Sequence, residues 1–171
     1  MSRRPTDDEI LDAVFSRGGE IVLPGTFGDQ VSDAAAAEAA SKISDTMLMQ
    51  LKQYEQDAVG LAETGDMDGA YASLSRAIDM CPTYASAYNN RAQVLRLQTK
   101  DDAAYDDLCQ AITHGTLIRN QHTLKQAYTQ RAIIKKKRGD LSGADEDFIK
   151  GAQYGNEVAK GMVKNNPYAK L

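Results

Sequence analysis

The chain has 171 residues, 42% hydrophobic and 26% charged, with a net charge of −4, a balance that supports a folded core and excludes wholesale disorder. No apolar run reaches the ~18–20 residues of a membrane helix. An acidic cluster follows Arg3-Arg4 where a secretory signal needs an apolar stretch, and Cys81 and Cys109 alone make no disulfide framework, so a cytoplasmic protein is expected.

Abundant alanine favours closely packed helices over sheet. Residues 1–31 read as a short helix and a loop: Thr6-x-x-Glu9 is a capping box before Ile10, Leu11, Val14 and Phe15, and 16–30 hold four Gly and one Pro. Residues 32–50 form a helical lead-in. Ala36, Ala40, Ile43, Met47 and Leu51 step into Tyr54 with no breaker, which predicts one long helix from Ser32 into the first repeat.

Repetition then sets the architecture. Shifts of 34 and 40 residues carry Tyr54 to Tyr88 to Tyr128, Ala58 to Ala92 to Ala132, Ala70 to Ala104 to Ala144, and Leu74 to Leu108 to Phe148. Gly65-Asp66 becomes Thr99-Lys100 and then Gly139-Asp140. Each unit is an antiparallel helix pair, with alanines at the helix crossing and Gly-Asp turn chemistry between the helices. Repeat 1 spans 51–84, repeat 2 spans 85–118, and repeat 3 spans 119–155 after a six-residue insertion near 115–124 that lengthens the loop or the start of the next helix. Asn156 caps a final helix over 157–165 within a terminal segment, 156–171, that seals the stack.

Little in the chain points to catalysis, and no enzyme activity is expected. His114, His122 and Cys109 do not have zinc-site spacing. Asp101-Asp102 and Asp106-Asp107 read as a solvated helix face. No glycine-rich phosphate loop is present, and Cys81 and Cys109 read as packing residues. No cofactor or metal is expected. Net charge is −5 over 1–46, −5 over 47–117 and +6 over 118–171. The run Lys135-Lys136-Lys137-Arg138 reads first as cations complementing a helix C-terminus, and second as a contributor to acidic-peptide binding. Nucleic acid is not an expected partner of so acidic a chain.

The functional surface is therefore the stack. Projecting the helical period places Lys52, Glu55, Gln56 and Val59 on the inner face of the first unit. The second unit contributes Ser86, Asn89, Asn90, Gln93 and Arg96, and the third Gln126, Thr129, Gln130, Ile133 and Lys137. Amides carry donors and acceptors and suit an extended peptide backbone. Asn89-Asn90 stands out, because adjacent asparagines are poor helix formers with no evident packing reason. A monomeric adaptor for a protein partner, without membrane or nucleic acid, is the expectation.

The spacing resembles the tetratricopeptide repeat, with Tyr at the early position that often holds Trp. The resemblance implies an all-α, right-handed helix-pair solenoid of three repeats with an N-terminal helical extension and a C-terminal capping helix. Three stretches are more specific: DDEILDAVF with the following Gly28-Asp29, SAYNNRAQVLRLQ over 86–98, and the tail from QAYTQRA to NNPYAKL. Together they resemble the tetratricopeptide repeat protein 36 family. That resemblance implies a non-enzymatic binding protein linked to heat-shock protein 70 chaperones and to regulation of tyrosine breakdown. Repeat proteins that grip the acidic tails of such chaperones resemble one another in a carboxylate clamp. Only Asn90 matches it here; Glu55, Val59, Gln126 and Gln130 stand at the other positions. Losing charge-assisted contacts worth about 1.5–3 kcal/mol each removes tight tail binding.

Overall fold

The computed structural model describes residues 43–165. Among these, seven helices form three antiparallel pairs and a terminal helix: α1 (Asp45–Glu63) with α2 (Met67–Met80), α3 (Ala85–Leu97) with α4 (Asp101–Leu117), α5 (Gln121–Lys137) with α6 (Leu141–Gln153), and α7 (Glu157–Lys164). The described chain is an all-α solenoid, in which each pair packs on the next and α7 covers α6.

The entry into the stack differs from the unbroken helix expected from Ser32. Ser44 is extended at φ −68° and ψ 155°, and its Oγ accepts from the Met47 amide at 3.2 Å. The serine satisfies a backbone donor that the first turn leaves open, and Asp45 then complements the positive end of the helix. An apolar period passing through Ile43 and Met47 gave no sign of this stop. Residues 32–42, the short helix and loop expected over 1–31, and the tail over 166–171 lie outside the described residues.

Five helix ends close in one way. The amides of Asp66, Lys100, Asn120, Asp140 and Asn156 donate to carbonyls five residues back, at 2.8–3.0 Å. The residue just before each amide is left-handed: Gly65, Gly139 and Gly155, but also Thr99 (φ 62°) and Arg119 (φ 51°). The crossing alanines are buried in all three pairs, Ala58 with Ala70, Ala92 with Ala104, and Ala132 with Ala144. Leu74, Leu108 and Phe148 fill the space beside them. Such a core stabilises by area removed from water, about 25 cal/mol per Å². The small residues let the helices approach closely enough to remove that area.

The insertion enters neither as a long loop nor on one helix alone. Relative to α2 and α3 under the same shifts, α4 ends three residues later and α5 begins four earlier, while the connection shortens from four residues (81–84) to three (118–120). Both helices gain about one turn. The inner helices α1, α3 and α5 approach each other along one face of the stack.

Candidate partner-binding groove

Glu55 organises the entrance to the first two repeats. Its carboxylate accepts from Tyr84 Oη at 2.9 Å, from Asn90 Nδ2 at 2.8 Å and from Ser86 Oγ. All three donors are neutral, so the negative charge is held without a cation. Burial, reinforced by the neighbouring Glu55 carboxylate, pushes the Tyr84 hydroxyl well above the ordinary tyrosine range, so it stays a donor. Asn90 Oδ1 in turn accepts from Asn89 Nδ2 at 3.3 Å. Asn89 Oδ1 accepts from Gln130 Nε2 at 3.0 Å, and Gln130 Oε1 accepts from Arg96 Nη1 at 3.1 Å. A polar ladder thus crosses from α1 through α3 to α5.

Beside this ladder lies a recess of about 330 Å³ between α1 and α3, with Leu74 of α2 in its wall. Ala58, Val59, Ala62, Val94 and Leu97 form its apolar surface, Gln93 stands in the middle, and Glu55 with Asn90 and then Glu63 mark its two ends. Val59 is 56% and Leu97 61% exposed, although both face a concavity.

The projected inner face divides under this geometry. Glu55, Val59, Asn90 and Gln93 come together at the recess. Lys52 and Gln56 are exposed on α1, and Ile133 is exposed on α5. Arg96 is half-buried by its bond to Gln130, and Gln126 accepts from Asn156 Nδ2 at 3.3 Å, tying α5 to the terminal helix. Three residues expected to be available to a ligand are instead buried: Asn89 (6% exposed), Thr129 and Gln130 (8%). The reason for the adjacent asparagines lies across the repeat, in the Gln130 amide that Asn89 receives. Thr129 is covered by α6, where Gly151 approaches so closely that a Cβ there would stand 2.5 Å from Thr129 Oγ1.

Three of the four residues of the basic run are engaged within the protein, and Lys136 is exposed. Lys137 bonds Asp101, Arg138 bonds Asp102, and Lys135 reaches Asp147 at 3.0 Å and the Gly143 carbonyl at 3.2 Å. Asp101, with 23% of its side chain exposed, is thereby drawn out of the solvated face expected of it, whereas Asp102 keeps 98% of its side chain in solvent. Asp107 is buried, in a two-point pair with Arg91 at 2.8 Å for both bonds. The equivalent pair forty residues on is Arg131 with Asp147, at 2.7 and 2.8 Å. Sequence reasoning missed both pairs. Their signal was available, because one shift of 40 carries both the arginine and the aspartate. Cys109 Sγ accepts from Arg131 Nη1 at 3.5 Å. Among the described residues no cluster of His, Cys, Asp and Glu has the geometry to hold a metal, and no helix is long and apolar enough to cross a membrane.

No family model matches the chain. It is 38% identical to tetratricopeptide repeat protein 36 of Xenopus tropicalis, over 98% of this chain and 82% of that protein. It is 37% identical to the homolog of that protein from Nematostella vectensis, over 100% of this chain and 91% of the other, and 33% identical to the Homo sapiens protein, over 98% and 88%. Among solved structures, the N-terminal domain of stress-induced protein-1 from C. elegans superimposes with a TM-score of 0.62 at 20% identity, covering 75% of this chain and all of that domain. This likeness is one of fold.

Proposed function

Because the chain belongs to the tetratricopeptide repeat protein 36 family, we propose that it is a non-enzymatic adaptor whose inner groove between α1 and α3 holds an extended segment of a protein partner. The observation that carries this reading is the exposed apolar floor of the recess. Val59 and Leu97 remain open to solvent within a concavity whose rim offers the amides of Asn90 and Gln93. Isolated exposed apolar residues are ordinary, but apolar residues gathered in a recess with convergent polar groups mark a binding surface. An extended segment presents both amide donors and carbonyl acceptors, and Gln93 meets either.

The resemblance implies two partner classes, a heat-shock protein 70 chaperone and an enzyme of tyrosine breakdown. A chaperone partner does not enter through an acidic tail on this reading. Glu55 and Val59 occupy two clamp positions, Gln130 is buried at a third, and Lys135, Lys137 and Arg138 are already paired. The test places a photo-crosslinking residue at Gln93 in the groove, and in a second variant at exposed Arg76 on α2. Partner adducts are expected from position 93. Adducts from position 76 alone transfer the function to the outer face, where a metabolic enzyme is held away from the groove. An acidic chaperone-tail peptide added in excess is expected to leave the position-93 adduct unchanged.

A further inference from the structure

The charge at the two ends of the recess defines its occupant more narrowly. Glu55 at one end is held by three neutral donors. Glu63 at the other end is exposed. No cation pairs with either among the described residues, whereas Lys135, Lys137 and Arg138 of the third repeat are engaged with Asp147, Asp101 and Asp102. The recess is thus a largely apolar trough with two carboxylates eight residues apart along its α1 wall, neither paired with a cation.

Its length is set by the helix. Glu55 and Glu63 are eight residues apart on α1, about 12 Å at 1.5 Å per residue. An extended segment covers about 13 Å from residue i to i+4. Residues i, i+2 and i+4 of such a segment point to one side. Resting on the groove reading above, we infer that the preferred partner segment is extended, with Lys or Arg at i and i+4 and an apolar residue at i+2. The apolar side chain sits over Val59 and Leu97, and the cations meet Glu55 and Glu63. Intervening residues face outward and are unconstrained. An acidic segment would place like charges at both ends, which costs affinity and suppresses the wrong partner.

The probe is a rhodamine-labelled peptide, Gly-Ser-Lys-Thr-Leu-Thr-Lys-Ser-Gly, with two controls in which both lysines become Glu or the leucine becomes Ser. Binding to the full chain is read by fluorescence anisotropy. Each control is expected to bind about tenfold more weakly, and the lysine preference is expected to shrink with added salt. Glu63→Lys, at an exposed and unpaired position, is expected to keep the helical circular dichroism and to erase the preference between the lysine and glutamate peptides, since Glu55 remains at the other end. Equal binding of those two peptides, an unaltered preference in Glu63→Lys, or no binding by any of them overturns the inference. So does concentration-dependent self-association abolished by Val59→Asp, which assigns the groove to a second copy of the chain. The adaptor reading is judged separately, by the adduct at position 93. That adduct formed without any charge preference leaves the adaptor standing and removes only the charge rule.

Discussion

Thr99 holds a left-handed conformation, φ 62°, at the place where the first and third repeats have Gly65 and Gly139. A β-branched residue pays for that geometry, and L-residues lose roughly 1–2 kcal/mol in it. Thr99→Gly is expected to raise the unfolding free energy by about 1 kcal/mol, after the larger chain entropy of glycine offsets part of the gain. Urea denaturation with an unchanged slope checks it; a neutral or lower midpoint means that the turn carries no strain. The same scale shows where reading the sequence stopped short. Propensity marked Asn89 and Asn90 as anomalous in a helix, and both are indeed polar groups with specific partners. It did not say that Asn89 would be consumed by Gln130, 41 residues away. A propensity sees one helix, whereas this hydrogen bond depends on how two helices meet.

Between elements, the two-point pairs Arg91–Asp107 and Arg131–Asp147 staple α3 to α4 and α5 to α6. Asp107 has only 9% of its side chain exposed and no second cation among the described residues, whereas Asp147 also receives Lys135. Removing Arg91 leaves the Asp107 carboxylate in a place water scarcely reaches. Arg91→Ala is therefore expected to destabilise by about 3–5 kcal/mol, while the double change Arg91→Met with Asp107→Leu stays within about 1 kcal/mol of the parent. Calorimetric or urea unfolding of the three proteins checks this; a single change as mild as the double one would mean that the pair is solvated. The first pair of helices has no such staple, because the same shifts place Asp57 and Ser73 there. Ser73 Oγ instead donates to the Tyr54 carbonyl at 2.9 Å. Helix pairing was legible from the Tyr, Ala and Leu positions, which repeat because packing requires them. The staples were equally periodic, but charged residues had been assigned to solvent.

Across the whole molecule, stability is passed from pair to pair rather than stored in one centre. Ala159 of α7 is fully buried against Ala132, Ala144, Phe148 and Ala152. Ala159→Asp is expected to strip hydrogen-exchange protection from α5, α6 and α7 while α1 and α2 keep theirs, since each pair touches only its neighbours. Uniform loss of protection along the chain would show a single cooperative unit instead. The charge asymmetry also looks different at this scale. The +6 of residues 118–171 includes cations that serve as links back to α4, through Lys137 with Asp101 and Arg138 with Asp102. The linear charge pattern registered the imbalance but could not show that its two halves neutralise each other at a repeat boundary.

The extra turn on α4 and on α5 bears on a problem that all repetitive surfaces share. A stack of equivalent pairs offers a ligand nearly the same footing each time it slides by one unit, so its docking position is degenerate. Here the extra turns of α4 and α5 interrupt that ruler between the second and third divisions. The junction of α4 with α5 is thus longer along the helix axes than that of α2 with α3, and the two junctions present different shapes. One placement along the stack is thereby distinguished from the next by shape alone, before any side chain is read.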